Sequence, residues 1–84
     1  MANRRKLKKE ISRICGILAV DCFVAARNGH ITPEQGTDWI VQVLNIQHEF
    51  LSRISHVEKG AERMFFRKLR EDFDRETDAI VQKL

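Results

Sequence analysis

The side chains of this 84-residue chain that are best suited to chemistry are two cysteines and three histidines. Cys15 and Cys22 are seven residues apart, about 10 Å along a helix, which is farther than a disulfide allows between Cα atoms. We expect both to be reduced, buried thiols, and the alternative is a redox-active or intermolecular pair. His48 and His56 are eight residues apart, about 12 Å along a helix, and cannot share an ion. We predict no metal site and no cofactor, and the alternative is a metal ion bound by histidines across a dimer.

Nucleophilic catalysis finds no better support. Ser12, Ser52 and Ser55 lie within predicted helices and lack the strained turn that presents a catalytic serine. The four glycines are too scattered to form a phosphate-binding loop. We therefore predict that the protein is not an enzyme.

A basic segment at the start of the chain is the clearest charge pattern. Residues 1–13 carry six Lys or Arg and one Glu, whereas the remaining residues have a net charge of −2. A basic strip on one side of a helix can neutralise phosphates, which makes nucleic acid a candidate partner. No aromatic residue is interleaved for base stacking, and a solvated helix end is the ordinary explanation of so short a run. The candidate polyanion contacts are Arg4, Arg5, Lys8, Lys9 and Arg13.

Helices must position these groups, because two turn patterns divide the chain into three helical segments. At the first turn, Gly29 can adopt the left-handed conformation that ends a helix. Thr32, Pro33 and Gln35 then match a capping box with proline at the first helical position. At the second turn Gly60 is expected to end a helix, and the alternative is one continuous helix through it. The predicted helices span residues 4–28, 33–58 and 61–83.

The predicted fold class is all-α, with one domain over residues 1–84. No segment alternates with period two, so no sheet is expected. Short turns make neighbouring helices antiparallel, so three long helices should form an up-down-up bundle. Where the first two helices contact each other, the two residue numbers should add up to about 60. From the turn positions we also expect Phe50 to lie opposite Leu69, and Ile80 to lie opposite Trp39.

The segment from residue 14 to residue 26 is apolar or small around its whole circumference except for Asp21. A surface helix needs only one apolar stripe, and a half-polar third helix cannot cover both of its neighbours. We predict that dimerisation completes the bundle, since two-fold pairing is the commonest solution. The alternatives are a monomer with a partly exposed flank and a complex with a different protein. The expected interface residues are Ile17, Val20, Phe23, Val24, Trp39 and Val43.

Asp21 has two explanations. In the first it lies at the edge of the helix in water, where aspartate is usually found. In the second it is buried beside Trp39, whose indole N–H would donate to the carboxylate.

We expect a soluble, cytoplasmic protein that does not insert into a membrane. The apolar run of thirteen residues spans about 20 Å of helix, which is shorter than the roughly 30 Å core of a bilayer. It is followed by Arg27-Asn28-Gly29-His30, and not by the small-residue cleavage site of a secretory signal.

Four segments along the chain form a further pattern: Asn3-Arg4-Arg5-Lys6-Leu7-Lys8-Lys9 with Ile11, Cys15-Gly16-x-Leu18 with Asp21-Cys22, Ile54-Ser55-His56-x-Glu58-x-Gly60, and Lys68-Leu69-x-x-Asp72-Phe73. Together they resemble a group of short, uncharacterised bacterial proteins. The resemblance covers most of the chain and implies an all-helical fold. It implies no activity, because none is assigned to that group.

Two functional hypotheses follow from the sequence. The first is a small homo-oligomeric helical protein that acts as a protein–protein interaction module. The second is a nucleic-acid-associated protein that uses its basic N-terminal arm.

Overall fold

Three α-helices make up the described part of the chain. The computed structural model describes residues 4–56, 60 and 62–84. Within these residues, α1 spans Arg4–Arg27, α2 spans Pro33–Ser55, α3 spans Glu62–Val81, and no strand is present. α1 packs against α2 and α2 packs against α3. The prediction of an all-α antiparallel bundle is therefore confirmed.

The turn between α1 and α2 forms as the sequence predicts. Gly29 has a φ of 81°, a conformation that glycine adopts without steric cost, and the following His30 donates its N–H to the carbonyl of Ala25. The Thr32 hydroxyl accepts a hydrogen bond from the Gln35 N–H at 3.1 Å, and the Gln35 side chain accepts one from the Thr32 N–H at 2.9 Å. This reciprocal capping box fixes the residue at which α2 begins.

The turn after α2 begins at His56. α2 ends at Ser55, and His56 caps it by donating its N–H to the carbonyl of Arg53. The predicted end of α2 at residue 58 lies outside the described residues. Gly60 has a φ of 97°, so the chain turns there and does not continue as one helix. α3 as described begins at Glu62 and ends at Val81, two residues short of its predicted end.

α1 and α2 pack closely along their whole length. A Cβ atom on Gly36 would lie 2.8 Å from the Cβ of Ala26, so only glycine fits at this crossing without a shift of the helices. Toward the other end, the Gln47 amide donates to the Ser12 hydroxyl at 3.4 Å. Both pairs match the predicted antiparallel register of these two helices.

The register between α2 and α3 was predicted wrongly, by about one helical turn. The turn positions placed Phe50 opposite Leu69, but the ring of Phe50 packs edge-on against Phe73, with ring centres 5.3 Å apart. Arg53 reaches Asp72 at 3.1 Å in the same shifted register. The prediction failed because the fit of side chains, and not the position of the turn, fixes how far two helices slide past each other.

One cluster of buried apolar side chains joins the three helices. The contributing residues of α1 recur at steps of three and four, as expected for a helix with one buried stripe. The cluster consists of Leu7, Ile11, Cys15, Leu18 and Cys22 of α1, Val43, Phe50 and Ile54 of α2, and Leu69, Phe73 and Ile80 of α3.

A buried carboxylate strengthens the contact between α2 and α3. Asp72 is 9% exposed, and a carboxylate removed from water needs charged or hydrogen-bonding partners. Arg53 donates to one of its oxygens at 3.1 Å and Arg75 donates to the other at 3.0 Å. Both arginines keep contact with solvent, so the cluster avoids the full cost of burying three charges.

Candidate interaction surface

The two sides of the α1–α2 hairpin differ in what covers them. One side carries α3, whose Phe73 shares a groove with Leu7 and Ile14 of α1. The 3.6-residue repeat places Val20 and Phe23 on the opposite side of α1, which we call the open face. The open face consists of the exposed residues Gly16, Ile17, Val20, Phe23 and Val24 of α1 together with Val41 and Leu44 of α2.

Large apolar side chains are exposed on the open face. Its six large side chains are each between 45% and 59% exposed. On α1, Val20 is three or four residues from Ile17, Phe23 and Val24, so these side chains are neighbours on the helix surface. Their exposed fractions amount to a patch on the order of 600 Å², which is at the upper end of what a monomer leaves uncovered.

A shallow groove joins α1 to α2 at one end of the open face, near the first turn. Its volume is about 380 Å³, and its lining comprises Phe23, Ala26, Arg27, Pro33, Gly36, Thr37 and Ile40. Phe23 of α1 and several residues of α2 therefore line the same groove.

Four of the six predicted interface residues lie on the open face. The structure brings Ile17, Val20, Phe23 and Val24 together along α1 and leaves all four exposed. These four follow from one sequence signal, an apolar segment that continues around the helix beyond its core stripe.

The other two predicted interface residues lie elsewhere. Val43 is fully buried, because it is on the side of α2 that packs against the other helices, so its assignment to an exposed interface is wrong. Trp39 is half-buried, and Lys83 of α3 places its Nζ 5.6 Å from the centre of the indole ring. Lys83 is about one turn beyond Ile80, the predicted neighbour of Trp39, which is the same shift of register that separates Phe73 from Leu69.

Three residues of the open face were missed by the sequence prediction. Leu44 is next to Val43 and belongs to the same apolar run, but it is 52% exposed. Val41 is exposed in the same way, and Gly16 is an exposed glycine in the interior of α1. Gly16 stands out in the sequence, because a glycine inside an otherwise regular helix weakens that helix relative to alanine.

Charged residues lie at both ends of the open face. Lys9 and Arg13 are exposed on α1 before Gly16, and Glu34 and Asp38 are exposed near the start of α2. None of these four charged groups forms an ion pair with another described residue. The open face therefore has a basic end and an end that carries two acidic groups.

The predicted polyanion contacts form part of that basic end. Arg4, Arg5, Lys9 and Arg13 are exposed, whereas Lys8 is half-buried. Arg5, Lys9 and Arg13 recur at every fourth residue, so they follow one ridge of α1. This ridge leads directly into the apolar part of the open face.

The two cysteines are buried and free, as predicted. Burial raises the pKa of the Cys15 thiol, and burial together with the charge of Asp21 raises the pKa of the Cys22 thiol. A raised pKa lowers the fraction of thiolate, which is the reactive form, so both side chains serve as small apolar groups of the core. Asp21 itself is exposed, so its expected place in water at the edge of α1 is confirmed, and the alternative of burial beside Trp39 is wrong.

No group of three His, Cys, Asp or Glu side chains in the described ranges is arranged to hold a metal ion. His56 instead places its Nδ1 2.7 Å from the carbonyl of Ser52, within its own helix end. None of the three described helices combines the length and the apolar character that a bilayer-crossing helix requires. Comparison of the chain with protein-family models, with curated proteins and with solved structures gives no match.

Proposed function

We propose that this protein is a small helical interaction module that self-associates through its open face. The observation that carries the proposal is the exposure of Ile17, Val20, Phe23 and Val24 of α1 together with Leu44 of α2. No described part of the chain covers this surface, because α3 occupies the other side of the hairpin. Association is the ordinary way in which a folded chain removes such a surface from water.

The total surface of the molecule supports the same proposal. The chain exposes 6261 Å², whereas a compact monomer of this mass exposes about 5,200 Å². The excess arises from an elongated shape, with extents of 48 × 18 × 18 Å. It is similar to the surface of about 800 Å² that each partner buries in a standard protein–protein interface.

The expected energetics are favourable but not extreme. Burial of six large apolar side chains stabilises a complex by on the order of 10 kcal/mol before the costs of association. Those costs are of similar size, from about 4 to 15 kcal/mol. We therefore expect a dimer that dissociates measurably on dilution.

Light scattering coupled to size-exclusion chromatography over a range of concentrations tests this proposal. The wild-type chain should move from one to two copies as its concentration rises. Val20→Asp should hold it as a monomer, because the charged group would have to lose its water in the interface. Val81→Asp is the matched control, since Val81 is 50% exposed on α3. A wild-type chain that stays monomeric at millimolar concentration would overturn the proposal.

A second candidate function is association with nucleic acid through the basic ridge. It rests on the exposure of Arg5, Lys9 and Arg13 along one line of α1. Binding of a labelled DNA or RNA duplex should then weaken steeply with added salt. It should disappear in the variant Lys9→Ala/Arg13→Ala. Absence of binding at low salt would exclude this candidate.

A further inference from the structure

We infer that the partner of the open face is a second copy of this chain, docked antiparallel, with a two-fold axis that passes beside Val20 and Val41. This inference rests on the proposed self-association and specifies its geometry. Three observations carry it: the symmetry of the apolar residues about Val20, the position of an unexplained glycine, and the distribution of charge along the surface.

The apolar part of the open face is centred on Val20. Ile17 and Phe23 lie three residues to either side of it, and the antiparallel register places Val41 of α2 at the same level. In a two-fold dimer the same patch faces itself, so the axis passes through the centre of the patch. Along α1, an axis beside Val20 stacks the apolar residues of one copy on those of the other.

Gly16 has no internal role in the structure. Gly36 is required by the close approach of Ala26, but a Cβ on Gly16 would meet no atom within 4 Å. A glycine in the interior of an exposed helix weakens that helix relative to alanine. The free molecule therefore gives no reason for glycine at this position.

An antiparallel dimer supplies that reason. Gly16 is four residues before Val20, and Val24 is four residues after it. A two-fold axis beside Val20 therefore places Val24 of one copy over Gly16 of the other. Because residue 16 has no side chain, it leaves a notch into which the Val24 side chain of the other copy fits. The two α1 helices can therefore approach closely.

The charge pattern selects the antiparallel direction. Residues 1–13 have a net charge of +5, so a parallel dimer would bring two strongly basic ends together. The opposite end of the open face carries Glu34 and Asp38 with Arg27, for a net charge of −1. An antiparallel dimer brings each basic end to this weakly charged end of the other copy and keeps the two basic ends apart, which favours that arrangement electrostatically.

Disulfide trapping tests the position of the axis. Val20→Cys should form a covalent dimer rapidly on mild oxidation, because its two copies would lie within the Cα separation that a disulfide needs. Val81→Cys is the control for random collision, and the native thiols are buried. In a parallel dimer, residue 20 of one copy would instead meet residue 41 of the other. Trapping of the double variant Val20→Cys/Val41→Cys without trapping of Val20→Cys would overturn the antiparallel geometry.

A pair of substitutions tests the notch at Gly16. Gly16→Leu should raise the dissociation constant about tenfold to a hundredfold, because it overfills a tightly packed site. Ala79→Leu adds a side chain at an exposed position of α3 and should leave association unchanged. Val24→Ala should restore part of the affinity when combined with Gly16→Leu, since the two residues would be in contact.

The outcomes separate this geometry from the proposed function itself. A wild-type chain that never associates removes both. A wild-type dimer that is indifferent to Gly16→Leu, or in which Val20→Cys is trapped no faster than Val81→Cys, removes the antiparallel geometry and leaves self-association in place.

Discussion

The covered side and the open face of the α1–α2 hairpin are built from similar residues. Phe50, on the covered side, is fully buried against Phe73, whereas Phe23 on the open face is 56% exposed. The two glycines within the described helices differ in the same way, because Ala26 occupies the space beside Gly36 and no atom occupies the space beside Gly16. An apolar segment in the sequence indicates that its side chains are to be shielded from water. Only the packing shows whether residues of the same chain shield them.

The largest expected effect comes from a matched pair of phenylalanine truncations. Phe50→Ala should lower the free energy of unfolding by about 3–5 kcal/mol, because it leaves a cavity in the core. Phe23→Ala should lower it by less than about 1 kcal/mol at concentrations where the chain is monomeric. Urea denaturation followed by circular dichroism measures both. Equal losses would show that the open face is covered within the monomer, and the comparison would fail.

Gly36→Ala should produce the next largest effect. Its new methyl group would meet the Cβ of Ala26 at 2.8 Å, so the helices must separate, at a cost of about 1–3 kcal/mol. The sign of the change in stability is informative, because alanine is intrinsically a better helix former than glycine. Thermal unfolding of the variant at low concentration measures the change. An increase in stability would mean that α1 and α2 are farther apart than described.

Thr32 is the N-cap of α2, so Thr32→Ala tests a position that is part of neither the covered side nor the open face. Loss of the hydroxyl that caps α2 should cost about 1 kcal/mol. Thr37→Ala is the control, because the Thr37 hydroxyl donates only to the Pro33 carbonyl of its own helix, at 3.1 Å. Chemical denaturation should show the loss for Thr32 alone. The dimer should persist in both variants under light scattering.

The smallest effect is expected at Gly16, and its sign is opposite to that at Gly36. Gly16→Ala should raise the stability of the monomer by up to about 1 kcal/mol, since nothing surrounds the new methyl group and the helix gains a better former. Thermal unfolding at the lowest measurable concentration isolates this gain. A loss of stability there would mean that Gly16 is packed within its own chain.

The sequence predicts the helices and their first turn well, because those features depend on local chemistry. The cap formed by Thr32 and Gln35 and the left-handed glycines at 29 and 60 are short-range patterns that a few residues specify. The close pairing of α1 with α2 follows from the same turn. The end of α2 at Ser55 was harder, because no residue near it gives a comparable signal.

The features that the sequence did not predict depend on contacts between distant residues. The burial of Asp72 follows from the one-turn shift of α3, which brings Arg53 alongside it. Val43 and Leu44 are adjacent and both apolar, yet one is in the core and the other on the open face. Only the rotation of α2 about its axis separates them, and side-chain packing sets that rotation.

The uneven packing of the three helices has a consequence for synthesis. α1 and α2 are close in sequence and pack tightly, so they can pair while the last third of the chain is still being translated. During that interval both flanks of the nascent hairpin are exposed to solvent. The packing of α3 then covers one of the two flanks and leaves the other exposed, so the surface proposed for association is defined only once α3 has docked.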